Sequence, residues 1–98
     1  MSRRGLIVEE LRNSTRLVLE RGSDVAVLWV EPGDAILADV HDVSLGGLGV
    51  FLRDVADFPV GRQIDLVHLG RHMRARIRHI DPQPDGEFLV GLECERPH

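Results

Sequence analysis

Between Val25 and Cys94, turn residues cut the sequence into six short runs, none long enough for an ordinary helix and each with strand character. Val25 to Val30 is a continuous apolar run rich in β-formers and reads as a buried strand. Glu31-Pro32-Gly33-Asp34 closes it as a turn, because Pro presets φ and Gly accepts positive φ. Ile36 to Val40, Gly47 to Leu52 and Ile64 to Leu69 read as the next three strands, with Pro59-Val60-Gly61 as punctuation before the last. Met73, Ala75 and Ile77 then alternate with Arg74, Arg76 and Arg78, giving one apolar and one wet face. After the loop Asp81 to Gly86, Phe88, Val90, Leu92 and Cys94 share one side of a final strand. Six short strands at this spacing predict an all-β small barrel or sandwich, and closure into a barrel removes the exposed edges. The stretch before Arg21 has no clear period. Leu6 to Leu11 fits a turn of helix or an extended arm, and Asn13-Ser14-Thr15 reads as a loop.

Composition narrows the function classes. With 98 residues, a second core does not fit, so one domain is expected. No window approaches the roughly 18 apolar residues of a membrane helix. Gly5-Leu6-Ile7-Val8 is too short for a signal-peptide core, so the expectation is a cytoplasmic protein without membrane insertion. The single cysteine, Cys94, excludes an internal disulfide and reads as a small core residue. The five His show no metal-ligand spacing with it. A net charge of −4 argues against general nucleic-acid binding. All 12 cations are Arg, whose planar fork suits phosphates and guanine edges.

Two segments carry candidate chemistry: Arg12-Asn13-Ser14-Thr15-Arg16, of the form RxxxR, and Asp42-Val43-Ser44-Leu45-Gly46-Gly47, of the form DxSxxG. Guanine presents O6 and N7 on one edge, a pair that Arg binds with two parallel hydrogen bonds. Its N1–H and N2–H donors suit a carboxylate, and phosphates take bidentate charge-assisted bonds from Arg. Two Arg, one Asp and one Ser therefore suit a ligand containing guanines and phosphates, and Gly46 and Gly47 let a flat base approach the backbone. Either motif alone is a poor indicator: RxxxR is commonly a solvated charge pair, and DxSxxG a strand-ending turn.

Taken together, RxxxR upstream of a first strand and DVSLGGLGVFL between the second and third resemble the signature of the PilZ family, the bacterial cyclic di-GMP receptor domains. The Gly61 turn and the closing Leu89-Val90-Gly91-Leu92-Glu93 fit the same pattern, and the likeness runs from about Arg12 to Glu95. The resemblance implies a six-stranded antiparallel β-barrel over residues 22–98 and a flexible N-terminal arm over 1–21 that folds over the ligand. It implies that Arg12 and Arg16 grip guanine edges and phosphates, that Asp42 and Ser44 bind from the barrel side, and that Gly46 and Gly47 leave room for the base. His79 falls on the penultimate strand, where some relatives carry a stacking aromatic. Leu11 precedes the arginine motif where some relatives place Arg, which implies one cyclic di-GMP per site. Two departures stand out: Glu9-Glu10 flank the arginine motif, and the C-terminal helix of many relatives has no counterpart after Glu95.

The function expected is a non-enzymatic cyclic di-GMP receptor that passes the signal to an effector protein, in settings such as motility or biofilm control, with no cofactor. The alternative is a PilZ-like adaptor that works through protein contacts alone. An RNA-binding barrel would need stacking aromatics, and three Phe, one Trp and no Tyr leave few. No residue set offers a nucleophile, a base and an orienting group, which argues against an enzyme.

Overall fold

The computed structural model describes the backbone of residues 6–11 and 14–95 and the side chains of 16–95. It contains eight strands: β1 Leu6–Leu11, β2 Ser14–Leu19, β3 Val25–Trp29, β4 Ile36–Ser44, β5 Gly47–Leu52, β6 Gln63–His68, β7 Arg71–Pro82 and β8 Phe88–Cys94. The sheet order is β1-β2-β4-β3-β6-β7-β8-β5, and β4 also pairs with β5. Strands β3 to β8 therefore close on themselves as a six-stranded barrel, and every pairing is antiparallel. These are the six runs read from the sequence. No helix among the described residues is long and apolar enough to cross a membrane.

Alternation fills the interior. Ala26 and Leu28, Ala38 and Val40, Leu48, Val50 and Leu52, Ile64 and Leu66, Ala75 and Ile77, and Val90 and Leu92 point inward, and Phe58 from the β5–β6 connection joins them. Burying such side chains contributes roughly 1.5–3 kcal/mol each. The apolar run Val25 to Val30 does not enter the core as a block. Only its alternate residues do, leaving Val25 52% exposed. Trp29, within the run read as buried, lies on the outer face, stacked on His72 with ring centroids 5.4 Å apart. Period 2 overrides hydrophobicity here, because one wall of the barrel has only one inner side.

The N-terminal segment takes the extended alternative. β1 and β2 form an antiparallel hairpin from Leu6↔Leu19 to Leu11↔Ser14, and the hairpin joins the barrel through Leu17↔Val43 and Val18↔Asp42. Ser14 and Thr15 thus begin a strand, where a loop was predicted. Their poor helix preference is equally compatible with a ladder supplied by a neighbouring strand, which local sequence does not display. β4 likewise runs past Val40 to Ser44, carried by pairing with β5 on one side and β2 on the other.

Candidate functional site

The site is built on the outer wall formed by β4, β5, β8 and β7. Register aligns Asp42 with Gly49, Gly49 with Gly91, and Gly91 with His79, making one row across four strands. The adjacent row runs Ser44, Gly47, Glu93, Arg76. The middle of the wall is therefore nearly without side chains: Gly47, Gly49 and Gly91 form a floor, and polar groups stand at its ends.

Two β-bulges shape those ends. The β4–β5 register shifts between Val40 and Asp42, and the β7–β8 register shifts between Ile77 and His79. Each bulge turns two consecutive side chains outward where alternation would have sent one into the core. His41 and Asp42 emerge on one side of the floor, Arg78 and His79 on the other. The carboxylate of Asp42 folds over Gly49 and the imidazole of His79 over Gly91; a Cβ at either glycine would collide with them. A Cβ on Gly47 would strike the main-chain carbonyl of Leu92, so this glycine is required by the approach of β8, whatever else it does.

Asp42 is the best-held polar group in the site. Its side chain is only 7% exposed. Nδ1 of His41 lies 2.6 Å from Oδ2, and Nε of Arg16 lies 3.9 Å from Oδ1. Arg16 reaches it because Val18 pairs with Asp42, which puts Arg16, two residues earlier, on the same face. The His41 and Phe51 rings meet edge-to-face with centroids 5.2 Å apart, and the Arg21 guanidinium lies over the Phe51 ring, 3.9 Å from its centroid. Arg21 also binds Asp39 at 2.6 Å and pairs with Glu87. The Glu87 hydrogen bond above all, and then Asp39, hold the Arg21 proton more tightly than in a free guanidinium. Arg21 thus staples the end of the hairpin to β4, β5 and the approach to β8.

A cavity of about 370 Å³ opens over the glycine floor. Arg16, Asp42, Ser44, Gly46, Gly47 and His79, all singled out in the sequence, line it together. Ser44 Oγ sits 3.5 Å from the Gly47 carbonyl, across the turn that holds Gly46. Arg12 lies outside the described residues. Sequence reasoning missed Gly49, Gly91, His41, Arg78 and Glu93 as parts of this site. The glycines did leave a signal, since an isolated Gly inside an alternating strand marks a bulge or a close approach. Among the described residues, no group of three or more His, Cys, Asp or Glu is placed to hold a metal.

Such a cavity, with a flat floor between a guanidinium–carboxylate pair and an imidazole on a small closed barrel, has the form of a ligand-binding module with room for a planar, polar molecule. The sequence matches the PilZ domain over residues 10–98, and the chain belongs to that family. None of the curated proteins matches it. Among solved structures it is similar to MrkH of K. pneumonia, described as a complex with c-di-GMP, at 14% identity and a TM-score of 0.71 over 92% of this chain and 47% of that one. It is also similar to the inhibitor of motility MotI/DgrA of Bacillus subtilis, at 21% identity and a TM-score of 0.60 over 94% of this chain and 55% of that one. The chain thus spans about half the length of each, and both likenesses establish the six-stranded barrel.

Proposed function

We propose that this chain is a cyclic di-GMP receptor domain that binds the nucleotide over the glycine floor and passes its level to a partner protein. The observation that carries the reading is the convergence on one cavity of Arg16, Asp42 and Ser44 with His79, which lies 35 positions or more downstream of the other three, in a member of the PilZ family. In this reading Asp42, held by His41, accepts guanine N1–H and N2–H. Arg16, with Arg12, binds phosphate or the O6/N7 edge. His79 lies against the floor, where a base would stack beside it. Gly46 and Gly47 carry no side chain to obstruct the base, and Ser44 offers a hydroxyl at the rim. One cyclic di-GMP per site is proposed, because Leu11 stands before the arginine motif. The protein acts without catalysis and without a cofactor. Residues 1–21 form the responsive arm and residues 22–98 the barrel it acts upon. The similarity to an inhibitor of motility supports a role in signalling to an effector, and cytoplasmic second-messenger control is the setting proposed.

Calorimetric titration with cyclic di-GMP tests the reading, with GTP and the Arg16→Ala variant as controls. Saturable binding near one ligand per chain, absent with GTP and lost in the variant, is expected. A folded protein that binds nothing at high micromolar concentration would overturn it.

A further inference from the structure

Of the four exposed Arg on β7, only Arg78 lines the cavity. Arg74 stands 3.9 Å from Asp65, and Arg76 donates to the Gly61 carbonyl at 2.8 Å, both away from the floor. Arg78 is different because it has no register partner: it is the extra residue of the β7 bulge, beside His79. Its Nη1 lies 3.6 Å from Oε1 of Glu93, which also lines the cavity. Arg78 and Glu93 are 58% and 60% exposed, so both side chains are able to swing. Charges in the described cavity therefore come as two matched pairs, Arg16 with Asp42 and Arg78 with Glu93. An anion entering this space meets no cation without a carboxylate beside it. Asp42 is fixed by burial and by His41, so it stays. Among the described residues, Glu93 is held by one exposed contact, to Arg78, and is the carboxylate an incoming phosphate can displace.

We propose that Arg78 is a further phosphate-binding residue of this site and that Glu93 competes with the ligand for it. The inference rests on the cyclic di-GMP reading and deepens it. The second phosphate of the ligand takes the guanidinium from Glu93, whose side chain turns to solvent. Glu93 thereby sets the affinity: it holds Arg78 in reserve over the floor and raises the ligand concentration needed to fill the site. Exposed ion pairs are weak, so the competition is modest, whereas a charge-assisted bond to phosphate is stronger.

The test is a set of cyclic di-GMP titrations of wild type, Arg78→Ala, Arg78→Lys, Glu93→Gln and the Arg78→Ala/Glu93→Gln double variant, each checked for an unchanged thermal transition. Arg78→Ala is expected to weaken binding about 10-fold or more, with Arg78→Lys intermediate. Glu93→Gln is expected to tighten it by about 2- to 5-fold, a gain that structural damage does not produce. That gain disappears in the double variant, because the competition needs Arg78. The salt dependence of affinity is shallower without Arg78, since one fewer cation meets the ligand. Wild-type binding with Arg78→Ala within twofold of it, or weaker binding by Glu93→Gln, overturns the role of this pair and leaves the receptor reading standing. No binding by folded wild type overturns both.

Discussion

At the scale of single residues, the three floor glycines are not equivalent. The neighbour that fills the Cβ position of Gly91 is the end of a side chain, His79, which can rotate; at Gly47 it is the Leu92 main chain, which cannot move without shifting β8. Gly47→Ala is therefore expected to cost about 2 kcal/mol or more in chemical denaturation, and Gly91→Ala below about 1 kcal/mol. Equal losses would contradict this geometry. Cys94 offers a second check. Its thiol packs against the core, and burial raises its pKa above the ordinary 9.0. A group whose proton is held more tightly in the folded state contributes fully below the unfolded value, and that contribution is lost as pH climbs through the folded value. The urea midpoint should thus fall more steeply above pH 9.0 for wild type than for Cys94→Ala.

At the scale of elements, among the described residues the hairpin β1–β2 joins the barrel ladder through two register pairs, Leu17↔Val43 and Val18↔Asp42, and is then stapled by Arg21 to Asp39, Glu87 and the face of Phe51. Removing the staple with Arg21→Ala is expected to speed amide exchange across β2 while β5 and β8 exchange as before. Faster exchange spread over the whole barrel would show instead that the arm and barrel open as one unit. The six barrel strands were legible because each carries its own alternation and turn residues; Ala75 and Ile77 between Arg74, Arg76 and Arg78 are the clearest case. β2 was not, since Ser14 and Thr15 become a strand by pairing with Leu11 and Glu10 of β1, a segment with no clear period of its own. The bulges escaped notice for a related reason. Nothing local in His41-Asp42 or Arg78-His79 announces a slipped register, which only the facing strand defines. Arg16, Asp42 and Ser44 were found through their motifs, and Arg78 and Glu93 were hidden because neither lies in the RxxxR or DxSxxG segments and the two meet only through the fold.

At the scale of the whole molecule, a ligand that binds only the folded barrel stabilises it by mass action. At a concentration of about 100 times Kd the gain is about 2.7 kcal/mol, or roughly 10 °C or more in the melting temperature of a domain this size. A thermal shift of that order with cyclic di-GMP, reduced in Arg16→Ala, is expected; no shift at saturation would speak against a specific site. The glycine row gives this a mechanical side. Where Gly49 faces Gly91, neither residue of the β5–β8 seam brings a side chain of its own, and the Asp42 carboxylate and His79 imidazole lie over the pair from the flanking strands. A stiff cyclic nucleotide reaching from Asp42 to His79 would lie across all four strands like a splint over a joint. A ligand seated there would brace a seam whose own residues carry no side chains, and filling the site would change how the barrel bends as well as how its surface looks.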